Sequence, residues 1–348
     1  MKMQSNVPLA GYTSLGCGGQ AEKLIVIEYN EEIPEALKEA RGGKVWILGF
    51  GANSVVSDKG LPGTTLVFRH GRILRKNDTG VIAEAGVEWD VLVKFTIDHK
   101  LWGLELMSGI PGGVGAAVVG NIAAYGQAVK DTLEFVDVLN VKSAEPRQFS
   151  NLDLQFEYRS SAFYNDGMED WLITRAHFKL SPAQTKRLTY QSALDVAKEL
   201  GKSTGSQSDL REIILQTRAR SKSLLLHGGS KNAGSFFRNP IVTPEQAERI
   251  IAFDESGKTA EEIRKMNTVH GGSAVRVSAS HVLLAAGFNR GQSWGAVRLH
   301  PEHILRLENT GGAKGQEVYD VAQEIITTIK QKLGVELKPE VRFLGEFN

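Results

Sequence analysis

The sequence predicts a fold in which short strands and helices are mixed along the whole chain. Segments with the alternating apolar pattern of a strand follow segments with the apolar spacing of a helix along the whole chain. The chain shows neither an internal repeat nor a low-complexity tract. Its 348 residues are enough for two or three domains, each around its own core. A glycine- and alanine-rich stretch from Ser108 to Gly126 indicates that part of this fold wraps a large ligand.

Six segments in the first half predict strands because apolar and β-branched residues dominate them. They are Leu24–Glu28, Val45–Leu48, Thr64–Phe68, Val81–Ala85, Phe135–Val141 and Trp171–Leu180. A helix is expected from about Glu31 to Arg41, closed by Gly42 and Gly43, since glycine readily ends a helix. A second helix, from Trp89 to Lys100, has helical spacing in Leu92 and Phe95.

The second half begins with a polar connection, Gly201 to Ser208, before a helix from Asp209 to about Lys222. Helices are expected to start at Thr243 and at Thr259, because both have a glutamine or glutamate three residues later. A long helix near the end has one apolar face formed by Val318, Val321, Ile325, Ile329 and Leu333. A final strand is expected from the alternation of Val335, Leu337, Val341 and Phe343, interrupted by Pro339.

Composition excludes several function classes. Forty-one basic residues against 40 acidic ones give no field that favours nucleic acid or an anionic membrane. The lone Cys17 excludes an internal disulfide, a thiolate zinc site and an iron–sulfur cluster. The eight histidines have no metal-ligand spacing, so no metal site is expected. No export signal is visible at the start, and we expect a cytoplasmic protein with an organic cofactor.

The glycine-rich segment reads SGIPGGVGAAVVGNIAAYG and carries no charge. Its small side chains let the backbone approach a large ligand, and free N–H groups suit a phosphate. Its glycine and proline breaks are too frequent for a membrane span. The segment does not match the Rossmann fingerprint, because Val118 occupies the position of its third glycine. The loop Gly49–Ser54 does not match it either, because a short strand and turns follow it instead of a helix. These observations predict a bulky, phosphate-bearing cofactor.

Three further clusters contain residues suited to catalysis, each with an ordinary structural alternative. Arg159 in FEYRSSAF suits a carboxylate, a phosphate or a developing enolate, or else forms a surface ion pair. Ser235 in NAGSFFRNP suits a cleft with aromatic walls, or else lies in a turn before a strand. Glu340, among apolar residues, suits a proton donor or an orienting group, or else faces outward from the last strand.

Taken in order, the segments GFGANS, SGIPGGVGAAVVGNIAAYG, YRSSAF, NAGSFFRNP and LKPEVRF resemble the UDP-N-acetylenolpyruvoylglucosamine reductase family, also called UDP-N-acetylmuramate dehydrogenases. The resemblance runs from Thr13 to Leu344. It implies a fold of the α+β class, with a two-part FAD-binding domain of the vanillyl-alcohol oxidase type and a smaller α+β substrate-binding domain. The implied role is in peptidoglycan synthesis, and thus in cell-wall biogenesis, cell shape and cell division.

The resemblance also implies the domain boundaries. Residues 1–72 form the first FAD-binding subdomain, to which 316–348 return, and residues 73–208 form the second. Residues 209–315 form the UDP-sugar domain.

The cofactor residues implied by the resemblance lie in the two glycine-containing loops. They are Gly49, Gly51, Ala52, Asn53, Ser54, Ser108, Gly109, Ile110, Pro111, Gly112, Gly115, Ala116, Asn121, Ala124 and Gly126. The implied substrate contacts are Tyr125, Tyr158, Tyr190, Lys222 and Asn239. The chain departs from the family pattern at Ala52, where a serine is usual, and at Ala123, where a glycine is usual.

The implied reaction uses NADPH to reduce FAD, after which hydride from flavin N5 reaches C3 of UDP-N-acetylglucosamine enolpyruvate. Arg159 and Glu340 would stabilise the enolate, and Ser235 would protonate C2. The product would be UDP-N-acetylmuramate, and no obligate protein partner is visible. Two alternatives remain: a flavin oxidase on the same fold, and a non-catalytic flavin- or nucleotide-sugar-binding regulator.

Overall fold

The structure is a computed structural model that describes residues 1–164, 168–221, 230–254, 257–270 and 275–348, with the backbone alone for 265–270. Its contacts divide the chain into two compact units. Unit 1 comprises Met1–Val7, Ala21–Gly51 and Pro62–His227, and unit 2 comprises Pro8–Gln20, Ala52–Leu61 and Gly228–Asn348. Both units are therefore assembled from segments that are far apart in the sequence.

Nine α-helices lie in the described ranges. They are α1 (Ile33–Glu39), α2 (Trp89–Asp98), α3 (Val114–Val119), α4 (Gln191–Leu200), α5 (Gln207–Arg220), α6 (Pro244–Ile251), α7 (Lys258–His270), α8 (Ala279–Ala285) and α9 (Gly315–Leu333).

The first twelve strands, all before residue 180, are β1 (Lys2–Pro8), β2 (Gln20–Ile27), β3 (Val45–Leu48), β4 (Ser54–Val56), β5 (Leu61–Phe68), β6 (Ile73–Arg75), β7 (Gly80–Glu84), β8 (Ala123–Ala124), β9 (Gln127–Ala128), β10 (Leu133–Asn140), β11 (Pro146–Ser150) and β12 (Trp171–Lys179). The later strands are β13 (Lys231–Asn232), β14 (Ile241–Val242), β15 (Val275–Arg276), β16 (Ser293–Trp294), β17 (Val297–Leu299), β18 (Leu307–Asn309) and β19 (Arg342–Leu344).

In the described residues, unit 1 contains two large sheets and the two-stranded β8-β9 hairpin. The four-stranded sheet has the order β1-β2-β5-β3, and its core includes Ile33 and Leu37 of α1 against Ile25 and Leu66 of the strands. The five-stranded sheet has the order β11-β10-β12-β7-β6, and its core includes residues of both α2 and α3. Helices α4 and α5 pack on each other and enclose Leu106, which lies just before the glycine-rich segment.

Unit 2 packs helices α6, α8 and α9 around one apolar core. Its largest sheet has the order β13-β18-β17-β16. The apolar face of α9 is buried as the sequence predicts, from Val318 through Ile325 to Leu333. Strand β4 pairs in parallel with β19 in this unit, which joins an early segment of the chain to its last strand.

The start of α9 is held by a residue from the early part of unit 2. The carboxylate of Asp58 accepts hydrogen bonds from the backbone N–H groups of Gly315 and Gln316, at 3.0 and 2.8 Å. These N–H groups have no intrahelical acceptor, because they belong to the first turn of the helix. A Cβ on Gly315 would lie 2.0 Å from the carbonyl oxygen of Val56, so this position requires glycine.

Most of the predicted elements are confirmed, with ends shifted by a few residues. All six strands predicted in the first half are present, and Thr243 caps α6 with the predicted capping box. The helix predicted at Thr259 is also present and begins one residue earlier, at Lys258. Thr259 is not its cap, because the Asp254 carboxylate accepts from the Thr259 N–H and hydroxyl. The final strand is shorter than predicted. The paired strand covers Arg342–Leu344, and before it, among the described residues, only an isolated antiparallel bridge joins Pro339 to Phe237.

The expected connection before Asp209 leads into α5, which begins at Gln207 and packs within unit 1. Leu210, Ile213 and Ile214 of this helix are fully buried in the cluster shared with α4. The division at residues 72, 208 and 315 stays a prediction about domains.

Among the described residues, none of the helices has the length and apolar character needed to span a bilayer. The same part of the chain contains no group of three or more metal-ligating side chains placed to hold an ion.

Replacing Gly315 by alanine is expected to destabilise unit 2 by about 3 kcal/mol, because the new methyl group overlaps a backbone carbonyl that cannot move alone. The measurement is denaturant unfolding of the variant against wild type. Gly11→Ala is the matched control, since a Cβ at Gly11 meets nothing within 4 Å. Equal unfolding free energies for the two variants would contradict the packing described for α9.

Candidate functional site

The glycine-rich segment lies close against strand β7 and the residues that follow it. The N–H of Val114 donates to the Val87 carbonyl at 2.8 Å, and that of Gly115 donates to the Ala85 carbonyl at 3.0 Å. A Cβ on Gly115 would lie 2.9 Å from the Ala85 Cβ. Gly115, predicted as a cofactor residue, therefore allows α3 to approach the sheet edge.

The opposite side of the same segment is open. A Cβ on Gly112 (φ +118°) or Gly126 (φ +90°) would meet nothing within 4 Å, and Ala116 is exposed. The N–H groups of Gly112 and Gly113 have no acceptor among the described residues. A surface without side chains and with free N–H groups fits an extended, phosphate-bearing cofactor.

The loop Gly49–Gly51 is held against this segment within unit 1. The guanidinium of Arg69 donates to the Gly49 carbonyl at 3.0 Å and lies 5.1 Å from the centre of the Phe50 ring. A Cβ on Gly113 would lie only 3.0 Å from the Cε2 atom of the Phe50 ring. Gly49 itself faces Ala116, since a Cβ added at Gly49 would lie 3.7 Å from the Ala116 Cβ. Gly51 has φ +64°. The two predicted cofactor loops therefore share one surface.

The remaining predicted cofactor residues of unit 1 have varied roles. Ser108 is buried, and its hydroxyl donates to the Glu105 carbonyl at 2.7 Å. Asn121 is also buried; its amide donates to the Glu157 carbonyl at 2.8 Å and accepts from the Lys130 N–H at 3.2 Å. Asn121 thus ties the glycine-rich segment to the loop that carries Tyr158 and Arg159. The partly exposed members are Gly109, Ile110, Pro111 and Ala124.

Tyr125 and Gly126 form the two-residue turn between β8 and β9. Both have positive φ, +48° and +90°, as a type I′ hairpin turn requires. Positive φ is costly for tyrosine, so the hairpin holds this side chain in a strained position. The Tyr125 ring meets the Tyr190 ring edge to face at 5.4 Å, and burial raises the pKa of Tyr125.

Arg159 is held in a second strained turn. The backbones of Glu157 and Ser160 hydrogen-bond to each other in both directions, at 3.1 and 3.3 Å, and Arg159 between them has φ +54°. Tyr158, beside it, is half-buried. Non-glycine residues persist at positive φ where the surrounding structure fixes them, and such positions cluster at functional sites.

A cation that the sequence analysis missed lies near these residues. Burial lowers the pKa of Arg218 on α5, as does the charge of Arg159, while Tyr125 and Asp90 act in the opposite direction. Arg218 therefore shares an electrostatic environment with the predicted site residues of unit 1. The sequence feature that could have identified Arg218 is its position two helical turns after Arg211 on a predicted helix.

In unit 2, backbone hydrogen bonds bring three predicted residues together. The N–H of Glu340 donates to the Phe236 carbonyl at 2.8 Å, next to Ser235, and the Asn53 amide donates to the Glu340 carbonyl at 3.1 Å. The Asn53 carbonyl accepts from the Arg342 N–H at 2.9 Å. Ser235 and Glu340 are both half-buried.

The other predicted residues of unit 2 lie on the same framework. Ser54 begins β4, opposite Arg342 of β19, and the Ala52 carbonyl accepts from the Ser14 hydroxyl at 3.4 Å. The side-chain oxygen of Asn239 accepts from the Ala279 N–H at 3.0 Å, which supports the start of α8. Lys222, a predicted substrate contact, lies outside the described residues.

Comparisons with known proteins agree with this geometry. A family model described as an FAD binding domain matches residues 21–145. A second, described as the C-terminal domain of UDP-N-acetylenolpyruvoylglucosamine reductase, matches residues 227–344. The chain is similar to the reductase of that name from Flavobacterium johnsoniae, with 32% identity over 99% of this chain and 100% of the relative. It is also similar to the one from Thermobifida fusca, with 32% identity over 98% and 97% of the two chains.

A solved structure shows the same fold. The UDP-N-acetylenolpyruvylglucosamine reductase of Thermus caldophilus superposes with a TM-score of 0.65, at 22% identity, over 99% of this chain and 98% of that chain. The predicted α+β fold class, with an FAD-binding domain and a separate C-terminal domain, is confirmed.

The glycine-lined surface and the matched FAD-binding domain define a flavin-dependent oxidoreductase. Within that class, the chain belongs to the UDP-N-acetylenolpyruvoylglucosamine reductase family, and its cofactor is FAD. On the open side of the glycine-rich segment, the backbone N–H groups of Gly112 and Gly113 fit the cofactor's phosphates.

Gly115→Ala is expected to weaken FAD retention by about tenfold or more, because α3 must move away from Ala85 and take the open surface with it. The measurement is the ratio of flavin to protein absorbance after dilution and filtration. Gly120→Ala, at the end of the same helix, is the control, since its Cβ would make only ordinary contacts, the nearest at 3.5 Å. Equal retention in both variants would show that the close approach does not shape the cofactor surface.

Proposed function

We propose that this protein reduces the enolpyruvyl ether of UDP-N-acetylglucosamine enolpyruvate to UDP-N-acetylmuramate, with NADPH as reductant. The proposal places the reaction in peptidoglycan precursor synthesis, in the cytoplasm, and without an obligate protein partner. The observation that carries it is Arg159, held at φ +54° near Arg218 in a unit that also carries the cofactor surface. The names of the full-length relatives support the same reaction.

Bound FAD supplies a carrier that accepts a hydride from the nicotinamide and delivers it to C3 of the enolpyruvyl group. The residues of the chain must then stabilise the negative charge that develops at C2 and spreads into the neighbouring carboxylate. They must also provide a proton at C2.

Arg159 is the proposed stabiliser of this enolate. A guanidinium offers a planar pair of N–H donors that matches a carboxylate, and it stays charged at any pH at which the protein is folded. Arg218 adds positive charge beside Arg159 and Tyr125, and its partial desolvation strengthens its interaction with an anion. A surface ion pair, the structural alternative for Arg159, requires neither a second cation nearby nor a strained turn.

Ser235 is the proposed proton donor to C2, and Glu340 the proposed partner of the enolate. The Glu340 backbone is fixed by a hydrogen bond to Phe236 on one side and by one from Asn53 on the other. The position of its Cα, from which the side chain extends, is therefore fixed. A carboxyl group that is protonated when substrate binds donates a hydrogen bond to the enolate. The hydroxyl of Ser235 is a weak acid, but an enolate carbon is basic enough to take its proton.

The proposed substrate contacts are Tyr125, Tyr158, Tyr190, Asn239 and Lys222. Tyr190 is 47% exposed and comes directly before α4, so its ring is placed to move towards a bound sugar nucleotide. Its edge-to-face contact with Tyr125 gives it a resting position. Asn239 keeps its amide NH₂ for a ligand while its oxygen supports α8.

An anaerobic flavin spectrum tests the function. Purified protein is bleached with NADPH and then mixed with UDP-N-acetylglucosamine enolpyruvate, and the oxidised flavin band is expected to return as substrate is consumed. Bleaching without return on addition of the sugar would reject this substrate and direct the search to other acceptors, oxygen first. Failure of NADPH to bleach the flavin would reject the proposed reductant.

Ser235→Ala is expected to leave the bleaching by NADPH near normal and to block the return of the oxidised band, because only the second half-reaction needs the proton. Stopped-flow absorbance measures both steps in one sample, so the first step serves as the control for folding and flavin content. An equal loss of both steps would show that the serine is structural.

Arg159→Lys is expected to lower kcat/KM for the enolpyruvyl sugar by about 100-fold, because an ammonium does not reproduce the planar fork. Arg147→Lys is the control, since Arg147 is exposed and its guanidinium lies over the Phe149 ring. Near-wild-type kcat/KM in the Arg159 variant would remove this residue from the site.

A further inference from the structure

An ion pair in unit 1 joins the glycine-rich segment to the helix that carries Arg218. The Asp90 carboxylate, in the first turn of α2, accepts two hydrogen bonds from the Arg211 guanidinium, at 2.7 and 2.6 Å. The same carboxylate accepts the N–H of Gly109 at 2.6 Å. The side chains are only 26% and 19% exposed for Asp90 and Arg211, so water screens the pair weakly.

The two residues held by this carboxylate, Gly109 and Arg211, come from separate parts of unit 1. Gly109 has φ +72° and opens the run of residues that forms the cofactor surface. Arg211 lies on α5, two helical turns before Arg218, so the two arginines point to the same face of that helix. Leu106, just before the glycine-rich segment, is fully buried against Leu210 and Ile214 of α5. The start of this segment and α5 are thus joined by an apolar contact and by a charged one.

The charges around Asp90 show that the link reaches the predicted site. Burial alone would raise the pKa of Asp90, but the hydrogen bonds from Arg211 and Gly109 and the charge of Arg218 lower it. Arg218 in turn interacts with Tyr125 and Arg159. An ionised carboxylate accepts the Gly109 N–H and also pairs with the charged Arg211 fork, and only the second contact depends on its charge.

We propose that Asp90 is a positioning residue that fixes the start of the cofactor loop through Gly109 and the placement of Arg218 through Arg211. Retention of FAD and capture of an anionic substrate then depend on one carboxylate. The substrate part of this inference rests on the proposed function, whereas the FAD part does not.

The first test measures FAD release from the diluted holoenzyme by the rise in flavin fluorescence. Asp90→Ala is expected to raise the dissociation constant of FAD by about tenfold or more, because it removes the acceptor of Gly109 and leaves Arg211 unpaired. Asp90→Asn is expected to recover most of this loss, since an amide oxygen still accepts the Gly109 N–H. Asp98→Ala is the control, because it removes an exposed carboxylate from the same helix, paired with Lys94 at 2.6 Å.

The second test separates the substrate side. Arg211→Lys keeps the charge but loses the two-pronged contact, so we expect FAD retention near wild type, a KM for the enolpyruvyl sugar raised by about fivefold or more, and kcat retained. Arg220→Lys is the control on α5, since Arg220 pairs with Glu199 on the surface.

Two results would overturn the proposal. One is Asp90→Ala retaining FAD as tightly as Asp98→Ala. The other is Arg211→Lys leaving the KM unchanged. If Asp90→Ala does not fold, the KM of Arg211→Lys is compared with that of Arg220→Lys, and equal values overturn the proposal. If the sugar is not the substrate of the wild-type protein, the fluorescence assay still decides the FAD part.

Discussion

The close approach of α3 to the end of β7 is the constraint on which the cofactor surface depends. It requires glycine at 113 and 115, since a Cβ at either position would press on Phe50 or Ala85. With the helix seated there, Gly112 and Gly126 remain open on the other side, and the backbone itself becomes the binding surface. A backbone surface has no rotamers to order when a ligand binds, so the protein loses little conformational entropy on binding FAD.

The side chains proposed to contact the substrate are positioned in a different way. Tyr125 and Arg159 both occupy tight turns at positive φ, and each turn is closed by backbone pairing on both sides. Asn121 joins the two regions through its buried amide, so neither turn can relax without disturbing the other. Unit 2 fixes Glu340 in a comparable way, by hydrogen bonds to its backbone from Asn53 and to Phe236. In each unit the hydrogen bonds that fix these residues are made to their backbones.

The sequence predicted the strands of the first half and the apolar face of α9 because periodicity and burial agree there. It predicted a bulky, phosphate-bearing cofactor from the density of small residues, which is visible without knowledge of the fold, whereas FAD itself was implied by the family resemblance. It did not identify Asp90, Arg211 or Arg218, because helix surfaces rich in charge look alike until their neighbours are known. It overextended the last strand for a related reason: alternation at Val335, Leu337 and Val341 reports burial, whereas a strand also needs a partner for its backbone. The assignment of Ser235 depended on the family resemblance, since a serine before two phenylalanines has no distinctive local chemistry.

The cap that Asp58 provides for α9 also orders events during synthesis. Asp58 and Gly315 are 257 positions apart, and Asn53 and Glu340 are 287 apart, yet both contacts lie within unit 2. As the ribosome releases the chain from its N-terminus, the early segments of this unit must wait for nearly the whole protein before their partners exist. Unit 1, whose last segment ends at His227, can gather its own core well before that. Translation therefore leaves Leu15 and Val55 without their final core for most of the time the chain is being made, a period in which such apolar segments favour chaperone binding.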